Sequence, residues 1–355
     1  MPVFVTVPYL PKKDKLISEF NKIYKSKILT NYGNNVQRLE KKLQKRFKVK
    51  NVIAVANGTI GLQVALRALN INKEVITSPF SYVATASSIC FNGAKPVFAD
   101  IDANTFNISI SNIQSCLSKK TEAILPVHVF GNINNINEIN KIKKLHKLKV
   151  IYDASHCFDV EYKNTSVFNY GDCSVASFHA TKIFHTIEGG AIFTNNNSLA
   201  KKIRTIINFG YFNGKIINIG INAKMNEFEA AMGLLNLEDI DLIKSNRKKK
   251  YDYYMSLLKN FKYQDRNEYC NNNYSYYPIV FKSEQILKKA IKILNAQKIY
   301  PRRYFYPSLN KINSFNCLQR CKESESLSKR ILCLPLYNDL KKSSQDKIIN
   351  ILNSL

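Results

Sequence analysis

Asn51-Val52-Ile53-Ala54-Val55-Ala56-Asn57-Gly58-Thr59 is the stretch from which the fold is read. A short apolar run with β-branched residues, closed by Asn-Gly, reads as a buried strand entering a turn. Ile60 to Leu69 then reads as a helix. Downstream the unit recurs. Glu74–Thr77 predicts a strand and Phe80–Phe91 a helix; Pro96–Asp100 and Ala123–Val127 predict strands. A lysine-rich helix is expected over Asn135–His146, and strands over Lys149–Asp153 and Ala191–Thr194. Short apolar strands separated by helices predict an α/β fold, with a mainly parallel sheet covered on both faces.

Upstream, to about residue 40, the chain reads as an arm with one amphipathic helix around Lys15–Tyr24. The alternation fades after about residue 235. A long polar helix is expected over Lys244–Phe261, a strand over Tyr276–Phe281, and helices over Ser283–Gln297 and Ser343–Leu355. These features place a large domain at residues 1–240, arm included, and a smaller α+β domain at 241–355.

Of the 355 residues, 45% are hydrophobic, enough for an ordinary core and against a disordered chain. The apolar runs, such as Ala123–Phe130, fall far short of the about 20 residues a spanning helix needs. The start, Met1-Pro2-Val3-Phe4, lacks a basic n-region, so a cytoplasmic protein is expected. The eight cysteines form no CxxC pair and are expected to be reduced; the five histidines make no zinc pattern, so no metal is expected. The net charge of +27 opens a nucleic-acid-binding reading. The lysines are spread over the whole chain among Asn and Ile, which favours solvated helix faces, and no nucleic-acid partner is expected.

Ligands of open α/β sheets bind at the carboxyl ends of the strands, and three candidates fall there. Asn57-Gly58-Thr59 lets a backbone and a helix N-terminus approach a phosphate, or is an ordinary strand-to-helix turn. Asp153 ends an apolar strand, either to face a cationic ring nitrogen or to cap a helix. Ser177, His179 and Thr181 lead to Lys182, and Glu188-Gly189-Gly190 turns the chain into the next strand. Alone, Lys182 would be a surface lysine.

The whole string changes that. Ser177-Phe178-His179-Ala180-Thr181-Lys182 with Glu188-Gly189-Gly190 resembles the active-site motif of the pyridoxal-phosphate sugar aminotransferases, the DegT/DnrJ/EryC1/StrS family. The likeness covers nearly the whole chain. In order come Leu29-Thr30-Asn31-Tyr32-Gly33, Ala56-Asn57-Gly58-Thr59, Ser78–Thr85, Pro126–Gly131, Asp153-Ala154-Ser155-His156, Asn222–Glu227, Arg302–Pro307 and Leu334–Tyr337.

The resemblance implies a fold-type I aminotransferase, a homodimer with shared active sites. Lys182 would carry pyridoxal 5'-phosphate as a Schiff base, with pyridoxamine 5'-phosphate in the second half-reaction. Asp153 would hold the ring nitrogen protonated and Tyr82 would stack on the ring. Gly58, Thr59 and Ser177 would bind the phosphate, with Asn222 reaching in from the partner. His156 would sit near the 3-hydroxyl, and His179 either touches the site or is structural. Asn31, Arg303, Tyr304 and Tyr306 are the implied substrate residues, meeting the sugar or packing beside it.

His-Ala-Thr-Lys followed by Glu-Gly-Gly resembles the members that aminate C4 of nucleotide-linked 4-keto-6-deoxy sugars. L-Glutamate and dTDP-4-dehydro-6-deoxy-D-glucose are the implied substrates, for surface polysaccharide such as O-antigen. GDP- or UDP-linked sugars, or amination at C3, are the alternatives. Dehydratases of the family carry His in place of the lysine, so Lys182 speaks against that chemistry. A catalytically silent relative would keep the fold and exchange no amino groups.

Overall fold

The computed structural model describes residues 1–317 and 319–355. Its centre is a seven-stranded sheet. In chain order the strands are β1 Asn51–Val55, β2 Glu74–Thr77, β3 Lys95–Phe98, β4 Thr121–Leu125, β5 Lys149–Asp153, β6 Cys173–Ser177 and β7 Gly190–Thr194. Their order across the sheet is β1-β7-β6-β5-β4-β2-β3. All neighbours pair in parallel except β7, which runs antiparallel to both β1 and β6. β6 reaches β7 through residues 178–189 with no crossover helix, and so direct a return makes an antiparallel pair.

Both faces of the sheet are buried, which is why its strands read as continuous apolar runs rather than alternating ones. Along β1, Val52 and Ala54 pack into one core with Val36, Leu39, Leu43 and Phe47 of helix Asn34–Phe47. Ile53 and Val55 pack into the other, against Leu62, Ala65 and Leu66 of helix Gly58–Ala68. The period of two along a strand sends successive side chains to opposite faces.

Helix Asn34–Phe47 corrects the expectation of an arm with a single helix, which is Lys13–Ser26. It carries no side-chain cap of its own. Its first N–H groups, of Asn35 and Val36, donate at 2.7 and 3.0 Å to the buried carboxylate of Glu227, almost two hundred residues away. The helix expected from Phe80 begins at Val83, and the one expected from Lys244 begins at Ile240.

A third core forms around Tyr254, Tyr277, Ile279, Leu287, Leu332 and Ile348. It holds helices Ile240–Leu257, Glu284–Ala296 and Lys342–Asn353 and the antiparallel pair Pro278–Val280 with Ile331–Cys333. Helix Ile240–Leu257 spans the cores: Ile240 and Ile243 pack with the sheet and Tyr254 with the third core. The start of the chain joins this part: Val3–Phe4 pairs with Ile299–Tyr300, and Leu336 N–H donates to the Val5 carbonyl.

Candidate active site

The parallel strands end together, and a cleft of about 540 Å³ opens at that edge. Gly58, Thr59, Tyr82, Asp153, His156, Ser177, Lys182 and Tyr304 of the expected set line it.

At one end lies an anion cradle. Asn57 caps helix Gly58–Ala68 by accepting from Ile60 N–H at 2.8 Å, and its carbonyl takes Gly61 N–H. Among the described residues the N–H groups of Gly58 and Thr59 in the first turn have no acceptor, and the helix dipole there favours negative charge. The Ser177 hydroxyl lies beside them, at the end of β6. A Cβ on Gly58 would sit 2.9 Å from the Ser177 Cβ, so only glycine fits. Gly190 serves the same turn from behind: a Cβ there would come within 2.8 Å of the Gly58 nitrogen and of the Ala176 carbonyl.

Asp153 ends β5 and is 6% exposed. Its carboxylate accepts from the Thr85 hydroxyl at 2.8 Å, the Ser155 hydroxyl at 2.6 Å and the Ser155 N–H at 3.1 Å. These donors are neutral, and a buried carboxylate held only by neutral donors favours a cationic group beside it. Turns follow it over residues 154–159, so the helix-cap alternative does not describe this carboxylate.

Lys182 is partly buried on the loop between β6 and β7. Phe178 N–H bonds to the Gly189 carbonyl, Thr186 N–H to that of Phe178, and Lys182 N–H to that of His179, which pins the loop. The Lys182 Nζ donates to the Tyr276 hydroxyl at 3.3 Å. Burial pushes the amine below its usual range, and Asp153 offsets part of that. A larger share of the amine is therefore neutral and nucleophilic near pH 7.

Burial, and then the nearby Lys182, hold the His156 imidazole well below its usual range, so it is neutral. Its Nδ1 accepts from Phe130 N–H at 3.1 Å, which leaves the proton on Nε2 as a donor. Its ring lies parallel to Phe130 and Phe305 and 4.7 Å from Tyr276. His179 also lines the cleft; its Nδ1 accepts from Thr181 N–H, and its Nε2 faces Glu188 at 3.4 Å.

Asn31, Asn222, Arg303 and Tyr306 do not line this cleft. Asn31 lines a neighbouring cavity with Tyr32, Arg204 and Lys224. Asn222 is exposed and bridges to Asn208. Arg303 is bound to Glu284 at 3.2 Å and stacked on Tyr306 at 3.6 Å. Sequence reasoning missed Tyr276, Arg302 and Glu188, which do line the cleft. No local signal separates Arg302 from its neighbour Arg303. Arg302, bridged to Cys333, lines the cleft with Tyr304 and Phe305, while Arg303 turns away to Glu284.

A helix N-terminus suited to an anion, a buried carboxylate, an exposed Tyr82 ring and a lysine amine pushed below its usual range fit one group: a phosphorylated pyridine aldehyde.

The sequence model of the DegT/DnrJ/EryC1/StrS aminotransferase family matches residues 11–353. The chain is 40% identical to a dTDP-4-amino-4,6-dideoxy-D-glucose transaminase of Shigella dysenteriae, over all of this chain and 99% of that one. Its structure superposes on DesI in the presence of its TDP-sugar product with a TM-score of 0.95 at 27% identity, covering 99% of this chain and 92% of that one. It also superposes on NtdA of Bacillus subtilis with bound cofactor PMP, with a TM-score of 0.88 at 26% identity, covering 96% and 81%.

Proposed function

The chain belongs to the DegT/DnrJ/EryC1/StrS aminotransferase family, and on that premise we propose the reaction it performs. It is a pyridoxal-phosphate-dependent sugar aminotransferase with a fold-type I architecture. It takes the amino group of L-glutamate and places it on C4 of dTDP-4-dehydro-6-deoxy-D-glucose, giving dTDP-4-amino-4,6-dideoxy-D-glucose. The observation that carries this reading is the Lys182 amine, depressed by burial and set in one cleft with Asp153 and the Gly58-Thr59 cradle, in a chain full-length similar to such a transaminase.

Pyridoxal phosphate, when bound, supplies an electron sink that lets a proton leave the carbon bearing the amine. The chain's residues do the rest. The N–H groups of Gly58 and Thr59 and the Ser177 hydroxyl would hold the phosphate. Asp153 would keep a proton on the ring nitrogen, and Tyr82 would cover a ring face. His156 would offer its Nε2–H to an oxygen on the ring. The Lys182 amine would hold the cofactor and serve as the base that moves the proton. Donor and acceptor take turns in one cleft, so ping-pong kinetics follow.

We further infer a homodimer in which Asn222 completes the partner's cradle. The segment around it supports this: Phe209, Tyr211, Ile216, Ile217, Ile219 and Ile221 are all exposed, an apolar patch suited to a second copy. Mixing Lys182→Ala and Asn222→Ala chains should restore activity that neither shows alone; no recovery after subunit exchange would sink the shared site. We place the enzyme in the cytoplasm, feeding surface-polysaccharide synthesis, a reading that its eight free thiols support.

Borohydride reduction of the yellow holoenzyme should fix the cofactor on the peptide containing Lys182, and Lys182→Ala should stay colourless while keeping its fold. A wild type that never takes up the cofactor overturns the assignment. Incubation with glutamate and dTDP-, GDP- and UDP-linked 4-keto sugars decides the nucleotide. Amination of only a 3-keto sugar would overturn the C4 reading.

A further inference from the structure

The cleft contains a cation that the cofactor chemistry leaves unused. Arg302 lines it, and the backbone there is clamped on both sides: Arg302 N–H donates to the Cys333 carbonyl at 3.1 Å and its own carbonyl accepts from Cys333 N–H at 2.8 Å. The guanidinium carbon lies 4.8 Å from the Tyr304 ring centre. Tyr304 meets Tyr276 edge-on at 5.8 Å, and the Tyr276 hydroxyl takes the hydrogen bond from Lys182 at 3.3 Å. The guanidinium is thus held two aromatic rings from the reactive amine.

The other basic side chains that line the cleft are engaged. Lys182 serves the cofactor, and His156 and His179 each spend Nδ1 on a backbone N–H. Arg303, next in sequence, is tied to Glu284 and to the carbonyls of Ser328 and Lys329. Arg302 is exposed, and among the described residues its guanidinium has no carboxylate partner. Stacking on Tyr304 restrains the side chain while leaving its N–H fork open, the arrangement suited to two-point binding of an oxyanion.

We propose that Arg302 is the oxyanion-recognition residue of the cleft, binding the carboxylate of the amino donor, the diphosphate of the nucleotide sugar, or each in its turn. This rests on the aminotransferase reading, in which both substrates are anions and visit the same cleft.

The test separates the two sources. Each half-reaction is followed alone, glutamate with the cofactor-loaded enzyme and then the keto sugar with the aminated form. Glutarate and dTDP serve as unreactive probes whose Kd is measured by calorimetry. Arg302→Gln is expected to raise KM for an anionic substrate, and Kd for the matching probe, by about ten- to a hundredfold, the scale of a lost charge-assisted pair. The cofactor's visible spectrum should not change, and Arg302→Lys should restore part of the affinity. Weakening of glutarate alone assigns the carboxylate, of dTDP alone the diphosphate, and of both a shared seat. Unchanged KM and unchanged probe affinity overturn the proposal, as does a fall in kcat with probe affinity intact. A wild type that completes neither half-reaction instead refutes the aminotransferase reading, and the probe affinities still decide Arg302.

Discussion

Tyr276 presents its hydroxyl to the Lys182 amine at 3.3 Å, and burial pushes that phenol up, so it stays protonated and neutral. An acceptor stabilises an ammonium more than a neutral amine. Tyr276→Phe should therefore lower the Lys182 pKa further. In the cofactor-free enzyme, the pH profile of Lys182 modification by an amine reagent should move to lower pH, and a profile that stays in place rules out this contact. The lysine itself has a stability consequence. Its folded pKa is depressed by burial below the unfolded value, so folding is penalised wherever the unfolded chain is protonated and the folded amine resists the proton. The penalty is full below the folded pKa and fades as pH rises from there toward the unfolded value of about 10.4. Cofactor-free Lys182→Met should melt above the wild type at pH 7, with the gap closing toward that pH.

At the scale of the element, the strand-to-helix turn after β1 and the start of β7 are one device. Gly190 lets β7 lie against the Asn57-Gly58 turn, and with it the cradle holds its shape. Gly190→Ala puts a methyl within 2.8 Å of two backbone atoms, which cannot yield as a side-chain tip can. Overpacking of this kind costs about 1–3 kcal/mol. The variant should melt lower and bind pyridoxal phosphate more weakly in an equilibrium titration; unchanged affinity would separate β7 from the cradle. The Glu188-Gly189-Gly190 signature thus has a mechanical reason, which the sequence shows only as a pattern. Helix Asn34–Phe47 is the opposite case. Its start depends on Glu227, so no local capping residue announced it.

At the scale of the molecule, Asp159 ties three regions together. Arg46 of helix Asn34–Phe47 grips it with two hydrogen bonds at 2.7 and 2.8 Å, and Lys244 of helix Ile240–Leu257 adds one at 2.6 Å. Burial alone would push this carboxyl up; the Arg46 and Lys244 contacts outweigh it and hold it below the usual range. A depressed carboxyl contributes stability that is full above the unfolded pKa of about 3.9 and is lost as pH falls through the folded value. Asp159→Asn should cost about 2–3 kcal/mol at pH 7, read by urea denaturation, and the loss should shrink as the wild type is acidified through that window. An equal loss at pH 7 and pH 3 would mean that packing, not charge, holds this junction.

Periodicity and turn residues are local, and so the sequence by itself determined the alternation of strands and helices, the strand ends that carry Gly58, Asp153 and Ser177, and the lysine loop after β6. It also placed the closing helices of the small C-terminal part to within a few residues. What only the tertiary structure decided depends on groups far apart in the chain. Arg302 faces the cleft and Arg303 does not, because Arg302 is bridged to Cys333 while Arg303 turns away to Glu284. Tyr276 reaches Lys182 across 94 residues, and Val3–Phe4 pairs with Ile299–Tyr300. Burial of the Lys182 amine, which makes it reactive, is a property of the packed cleft and of no single stretch of sequence.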